Sequence, residues 1–408
     1  MDFNSKLEKF AELIVRTGVN LQSGEELVVS SPIECADFAR RLAEEAYKAG
    51  AKKVSVIYND QKLSRINFEN ASAEVLTNVP EWAIMQREAI VDNKACYVSI
   101  ASEDPAAYSG LDAKKISDVS RATHTAYKKF YDASMTNGIK WCVMSVPNAA
   151  WAKKVFPDLS EKQAIQKLWD YIFKTMRLDK KDPVKAWATH QKKLEKRCRF
   201  LNRMQFDAFR YHNSIGTDVT VKMNKNYVFS GGAELSKDGC LFSANMPTEE
   251  VFSAPAMDGV NGRLVSALPL CENGEIIRNF TLTFENGRIT DFSAEEGYET
   301  LKGIIETDEG SHRLGEIAMV GFDNPIRKLG VLFYNTLFDE NASCHFAIGQ
   351  AYASVKGADK MTEEEQLAVG LNQSAVHVDF MVGTEDLSIV GIKNGVETPI
   401  FVNGDWAI

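Results

Sequence analysis

The hydrophobic pattern of the chain changes near its middle, and this change limits the folds that are open to it. In the first half, short β-rich runs alternate with longer segments whose apolar residues recur at helical spacing. The β-rich runs are 27–29, 54–58, 95–100 and 140–146, and the helical segments lie near 4–18, 34–49, 61–70, 111–134, 160–178 and 184–203. Such alternation is typical of a parallel sheet that is covered by helices on both faces.

Asn-Gly dipeptides mark the second half. This pair favours the two-residue turn of a β-hairpin, because both positions tolerate a positive φ. The pairs are Asn261-Gly262, Asn273-Gly274, Asn286-Gly287, Asn394-Gly395 and Asn403-Gly404, and they separate β-rich runs such as 278–284. We therefore predict an N-terminal α/β domain with a mainly parallel sheet over 1–200, and a C-terminal α+β domain with an antiparallel sheet over 201–408.

Charge and composition disfavour several classes of function. The net charge of −9 argues against nucleic acid as a partner, because phosphate binding needs a cationic surface. No run reaches the roughly 18 apolar residues of a membrane span, and the N-terminal residues read as an amphipathic helix. The seven cysteines are scattered without a CxxC pair, which indicates a reducing compartment. We predict a cytoplasmic protein that binds neither nucleic acid nor membrane.

A histidine and an aspartate lie two residues apart in the segment 376–381. The segment alternates strictly, so a strand would present His377 and Asp379 on one face and its apolar residues on the other. An imidazole beside a carboxylate suits a divalent metal ion. The alternative is a His–Asp hydrogen bond on an exposed strand face.

The segment 339–352 holds a second group of candidate residues. If Ser343 begins a helix, His345 and Tyr352 lie two turns apart on the same helical face. Glu340 would precede that helix on a loop and could fold back toward His345. The alternative is a core histidine near a packed tyrosine.

Two further carboxylates complete the candidate set. Glu316 lies in an apolar, glycine-bounded strand, where a buried carboxylate must be paired, protonated or metal-bound unless it points to solvent from an edge. Glu249 and Glu250 lie between prolines in extended chain, so only one of them should reach a shared site; the alternative is an acidic loop. In all, one domain offers four carboxylates, two histidines and a tyrosine, about what two divalent ions need.

The chain resembles the metalloaminopeptidase family that includes aminopeptidase T, aminopeptidase S and PepS, over essentially its whole length. The resemblance is closest in the blocks 246–252, 314–316, 339–345 and 377–379. It implies a C-terminal catalytic domain and a homodimer, and it places a tyrosine of the catalytic site at Tyr352. The metal ligands that it implies are Glu250, Glu316, Glu340, His345, His377 and Asp379.

This resemblance predicts an enzyme that releases N-terminal residues from peptides with a free N-terminus. Two divalent ions, for which zinc, cobalt and manganese are equally suited, would lower the pKa of a shared water molecule. Glu316 would accept its proton, or serve as a ligand alone, and Tyr352 would donate a hydrogen bond to the developing oxyanion.

Two other functions use the same residues. One is a different two-metal hydrolase, such as an amidohydrolase or a phosphoesterase, and the other is a metal-binding protein that has lost its activity. The sequence has no HExxH motif, and its serines lack a GxSxG setting. A zincin-type helix site and a serine hydrolase are therefore disfavoured.

Overall fold

The computed structural model describes residues 2–272 and 275–408, which divide into two compact units. The first unit comprises Met1–His190 and Ala233–Pro247, and the second comprises Gln191–Gly232 and Thr248–Ile408. The chain therefore enters the second unit, returns to the first for one short segment, and then completes the second.

The long helices lie mainly in the first unit. They are followed here in chain order: α1 Phe3–Leu13, α2 Ala36–Lys48, α3 Gln61–Asn70, α4 Ala73–Thr77, α5 Glu81–Asp92, α6 Ala113–Ala126, α7 Lys128–Met135, α8 Ala149–Val155, α9 Glu161–Thr175, α10 Pro183–Met204, α11 Tyr298–Ile305, α12 Thr336–Asp339 and α13 Glu363–Ala368. All six predicted helical segments of the first half are confirmed, although 111–134 is divided into α6 and α7, and α4, α5 and α8 were not predicted. Among the described residues, no helix combines the length and the apolar character that crossing a bilayer would need.

Twenty strands are found in the described residues. They are β1 Glu26–Pro32, β2 Lys53–Asn59, β3 Cys96–Ile100, β4 Trp141–Met144, β5 Ala208–His212, β6 Asp218–Met223, β7 Glu234–Leu235, β8 Leu241–Phe242, β9 Val251–Ser253, β10 Pro255–Val265, β11 Leu270–Glu272, β12 Glu275–Ile277, β13 Thr281–Glu285, β14 Arg288–Ser293, β15 Leu314–Met319, β16 His345–Gly349, β17 His377–Met381, β18 Ser388–Lys393, β19 Val396–Val402 and β20 Asp405–Trp406.

The first unit is built on a four-stranded sheet with the order β2-β1-β3-β4. All three strand pairs are parallel, with Leu27 of β1 opposite Val54 on one side and Cys96 on the other. The residues of β3 are almost all buried, as expected for a parallel strand with helices on both faces. The predicted α/β fold with a mainly parallel sheet is confirmed.

Among the described residues, the second unit contains two antiparallel sheets of four or more strands, and they share one hydrophobic core. The larger has the order β14-β13-β10-β6-β5-β18-β19-β20, and the smaller has the order β17-β16-β15-β9. Tyr211 of the larger sheet contacts Phe346 of the smaller, with 5.1 Å between ring centroids. The core contains side chains from both sheets. One face of the smaller sheet is therefore packed against the core, and the residues of its other face do not belong to this core. The predicted α+β fold is confirmed.

Three predicted hairpin turns are confirmed. Asn286-Gly287 joins β13 to β14, Asn394-Gly395 joins β18 to β19, and Asn403-Gly404 joins β19 to β20. Both residues of each pair have a positive φ, as a type I′ turn requires. The pair Asn273-Gly274 lies outside the described residues.

The predicted turn at Asn261-Gly262 is wrong. Both residues lie within β10, where they are opposite Thr220 and Val219 of β6. Gly262 has a φ of +123°, and a Cβ atom there would overlap the carbonyl oxygen of Asp218. The glycine is therefore needed for the close approach of two paired strands, which is a second reason for an Asn-Gly pair besides a turn.

Two turn glycines with the same backbone conformation should differ in their tolerance of a methyl group. Gly395 has open space around it, so Gly395→Ala should cost only the left-handed conformation, about 1–2 kcal/mol. A Cβ atom at Gly287 would overlap the carbonyl oxygen of Met257, so Gly287→Ala should cost a further ~1–3 kcal/mol. Urea unfolding of both variants measures the difference, and equal free energies of unfolding would contradict the described packing of this turn.

Candidate metal centre

The smaller sheet of the second unit has one apolar face and one polar face. Because side chains alternate along a strand, the apolar and the polar residues of these paired strands point to opposite faces of the sheet. The apolar set is part of the core: Val251, Ile317, Met319, Phe346, Ile348, Val378 and Phe380. The polar set has the opposite parity: Glu316 of β15, His345 of β16, and His377 and Asp379 of β17. The sheet thus gathers on one surface most of the residues predicted as ligands.

Small residues lie between these polar side chains. Ala347 of β16 is opposite Glu316 on one side and Asp379 on the other, and Ala318 of β15 is opposite His345. The absence of longer side chains at Ala318 and Ala347 leaves room above the strands for the carboxylates and the imidazoles to converge. Our sequence reasoning missed both alanines, although the two-residue period of β15 and β16 would have placed them beside the ligands.

The polar side chains form two groups that share Glu316. In the first group, the Nε2 atom of His345 lies 3.2 Å from Oε2 of Glu250 and 3.6 Å from Oε1 of Glu316. In the second group, the Nε2 atom of His377 lies 3.5 Å from Oε2 of Glu316 and 3.4 Å from Oδ1 of Asp379. Within each group, one ligand atom per residue lies within 4.8 Å of the others. Each oxygen of Glu316 therefore faces a different histidine.

Backbone carbonyl groups orient both histidines. The Nδ1 atom of His345 is 3.0 Å from the carbonyl oxygen of Ser343, and that of His377 is 2.7 Å from the carbonyl oxygen of Gln350. A carbonyl oxygen can only accept, so each Nδ1–H donates, and each Nε2 faces the carboxylates. This is the usual arrangement of a metal-binding histidine, in which the second nitrogen is held by a hydrogen bond.

The crowded charges shift the pKa values of the cluster. Burial raises the pKa of Glu316, and burial with the charge of Glu250 raises that of Glu340 well above its usual value. Burial lowers the pKa of His377, but Asp379 and Glu316 outweigh it and raise the pKa to about 10. His345 is raised in the same way, well above its usual value. The negative charge of the cluster thus favours bound cations, and protons and divalent ions would compete for it.

The side chains of Glu249 and Glu250 reach different partners, as the alternation of side chains in extended chain predicts. Glu250 faces the cluster, whereas the charge of Glu249 acts on Arg197.

Glu340 lies in a short 3₁₀ turn, and its Oε1 accepts a hydrogen bond from Nδ2 of Asn341 at 3.2 Å. Glu340 feels the charge of Glu250 but belongs to neither of the two groups above.

The predicted helix that begins at Ser343 is wrong. Ser343 has extended backbone, with φ of −159° and ψ of 154°, and the next residues form β16 between β15 and β17. Pairing on both sides of the strand overrides the helical spacing of His345 and Tyr352. Tyr352 still lies beside the cluster, because the chain turns after β16 and brings its ring centroid to 5.2 Å from that of His377.

Tyr352 lies at the border of the cluster with solvent. Its side chain is 36% exposed, and its ring also contacts Phe252, at 5.5 Å between centroids. Loss of water around its hydroxyl group, together with the charges of Glu316 and Asp379, raises the pKa of Tyr352 well above its usual value. The hydroxyl group therefore keeps its proton and can act as a hydrogen-bond donor.

Comparison with known proteins gives matches along the whole chain. Residues 3–406 match the family described as thermophilic metalloprotease (M29). Aminopeptidase AmpS of Bacillus subtilis is 44% identical over 99% of this chain and 99% of its own length. Aminopeptidase T of Thermus thermophilus is 38% identical over 100% of this chain and 99% of its own. The structure of wild-type AmpT from Thermus thermophilus superposes with a TM-score of 0.94 at 37% identity, covering 100% of both chains. The resemblance stated from the sequence is confirmed.

Neighbouring residues of β16 should respond in opposite ways to substitution by valine. Ala347→Val adds two methyl groups between Glu316 and Asp379, so it should lower the bound metal per chain. Ile348→Val removes one methylene from the core face, so it should cost about 1 kcal/mol of stability and leave the metal content unchanged. Metal analysis and denaturant unfolding measure both quantities. Full metal content in Ala347→Val would show that the space above β16 is not the metal site.

Proposed function

The chain belongs to the M29 family of thermophilic metalloproteases and is an aminopeptidase, and from that premise we propose that it holds two divalent ions. These ions would lie at the cluster on the smaller sheet of the second unit, and peptides with a free N-terminus would be the substrates. The proposed ligands are those predicted from the sequence: Glu250, Glu316, Glu340, His345, His377 and Asp379.

The sharing of Glu316 between two groups is the observation that carries this proposal. A single ion would need one group of converging ligands, whereas here two groups are joined by one carboxylate whose oxygens face different histidines. Carboxylates commonly bridge paired ions in two-metal hydrolases. The same geometry favours Glu316 as a bridging ligand over Glu316 as a free proton acceptor, the two roles that the sequence left open.

The donor set fits divalent ions of intermediate hardness. It combines two imidazole nitrogens with carboxylate oxygens, and both imidazoles offer Nε2 because their Nδ1 atoms are held by carbonyl groups. Such mixed ligands suit zinc, cobalt and manganese. When bound, the pair of ions would supply Lewis acidity and make a water-derived nucleophile available near neutral pH.

Tyr352 is the proposed donor to the transition state. No hydrogen bond to its hydroxyl group is found among the described residues, and the raised pKa keeps the proton in place. Attack on a peptide carbonyl places negative charge on its oxygen, and a hydrogen bond from this hydroxyl would stabilise that charge more than it stabilises the substrate. Tyr352 would thereby raise the rate without serving as a ligand.

The alternative functions receive less support than the aminopeptidase. A protein without activity would not need to preserve both ligand groups, and the names of the relatives point to peptide bonds over phosphoesters. The cytoplasmic location and the homodimer stay predictions.

Metal removal should abolish activity, and the two carboxylates of 249 and 250 should differ in their contribution. A chelator should remove activity toward an aminoacyl chromogenic amide, and about two ions per chain should restore it. Glu250→Gln should lower both metal content and activity, because Glu250 faces His345. Glu249→Gln, at the adjacent position, should leave the metal content unchanged. Full activity in a verified metal-free sample would reject the proposal.

Removal of the Tyr352 hydroxyl group should separate catalysis from metal binding. Tyr352→Phe keeps the ring contacts, so metal content and the melting temperature should stay near the wild-type values. The loss of one transition-state donor typically lowers kcat by about 10²- to 10³-fold, with little change in KM. Tyr298→Phe, at a 43% exposed position of the same unit, is the matched control. Wild-type kcat in Tyr352→Phe would remove the assigned role.

A further inference from the structure

Glu272 is a carboxylate beside the metal centre that belongs to neither ligand group. It ends β11, which packs beside β17, the strand of His377 and Asp379. A backbone hydrogen bond of 2.8 Å from Ala267 N–H to the carbonyl oxygen of Met381 fixes the chain before β11 against the end of β17. Leu270 of the same strand is anchored in the core. The position of Glu272 is therefore set by the same sheet that positions the ligands.

The carboxylate of Glu272 is partly buried and has no partner among the described side chains. Within the part of the chain that the structure describes, Glu272 has neither a salt bridge nor a side-chain hydrogen bond. Its charge interacts with that of Asp379, a residue of the second ligand group. A partly buried carboxylate without a partner costs free energy, and a ligand of opposite charge would offset that cost.

The other carboxylates of the site are already engaged. Glu250, Glu316 and Asp379 contact histidines in the two ligand groups, and Glu340 accepts a hydrogen bond from Asn341. The substrate of an aminopeptidase always brings one cation, the ammonium group of its first residue. That group must be recognised close to the scissile bond, because it is separated from the first peptide carbonyl carbon by a single carbon atom.

We propose that the carboxylate of Glu272 binds the α-ammonium group of the substrate and thereby selects the first peptide bond for cleavage. This inference rests on the proposed two-metal function and adds the group that makes the enzyme an exopeptidase. An internal segment of a peptide has no ammonium group to offer, so it would leave Glu272 unpaired and bind less well. Acetylation of the N-terminus would have the same effect.

The test compares two metal-binding inhibitors that differ only in the amino group. These are leucine hydroxamate and its desamino analogue, 4-methylpentanohydroxamate, and their affinities are measured by calorimetry on the metal-loaded full chain. The variants are Glu272→Gln, which removes the charge, and Glu272→Asp, which keeps it. Glu275→Gln is the matched control, because Glu275 is the exposed cross-strand partner of Glu272.

Glu272→Gln should weaken binding of leucine hydroxamate by about 10- to 100-fold, the usual size of a hydrogen bond between charged groups. Binding of the desamino analogue, metal content and the melting temperature should stay at the wild-type values. Glu272→Asp should keep most of the preference for the amino compound, and Glu275→Gln should keep all of it. Equal weakening of both inhibitors, or none, would overturn the inference.

Two further outcomes separate this inference from the proposed function. Loss of metal from Glu272→Gln would identify Glu272 as a ligand and overturn its role as an ammonium-binding residue. If the metal-loaded wild type failed to cleave leucine chromogenic amides, the proposed function would fail, and this inference with it. Wild-type cleavage combined with an unchanged inhibitor preference in Glu272→Gln would overturn this inference alone.

Discussion

Burial of several carboxylates at one place is the constraint on which the candidate metal centre of the second unit depends. Glu250, Glu316, Glu340 and Asp379 converge in a volume that also holds two histidines. Burial, together with the charges of neighbouring carboxylates, raises the pKa values of Glu316 and Glu340, so a full negative charge on the cluster is unfavourable. Burying like charges is expensive unless cations offset them, and divalent ions offset them more effectively than protons on two imidazoles. The proposed metals thus explain why so unfavourable an arrangement is retained.

The hydrophobic core makes this arrangement possible. Phe346 and Phe380 pack on the core face of the smaller sheet. Each directly follows a residue that faces the metal centre, His345 in β16 and Asp379 in β17. A slip of one residue in the pairing of β16 with β17 would exchange the two faces and bury the ligands in the core. The burial of the apolar face therefore fixes which residues face the metal centre, and the same register places the two oxygens of Glu316 toward different histidines. The positions of the ligands are thus set by packing on the opposite face of the smaller sheet.

The sequence predicted those parts of the structure that depend on local patterns. The strand that holds His377 and Asp379 was predicted because its alternation is visible in six residues, and the hairpin at Asn286-Gly287 because both residues suit a type I′ turn. The helix predicted from Ser343 was wrong because pairing on both sides makes that segment a central strand. Contacts between distant positions cannot be inferred from one segment. For the same reason no local signal indicated that 233–247 returns to the first unit, or that Glu272 lies beside Asp379.

The central claim is that Glu316 bridges two ions, and anomalous scattering from crystals grown with zinc or manganese tests it most directly. The account predicts two anomalous peaks about 3.5–4 Å apart, each within ligand distance of a different oxygen of Glu316. One ion should also contact Glu250 and His345, and the other should contact His377 and Asp379. A single peak at full occupancy, or a second ion whose ligands do not include Glu316, would contradict the account.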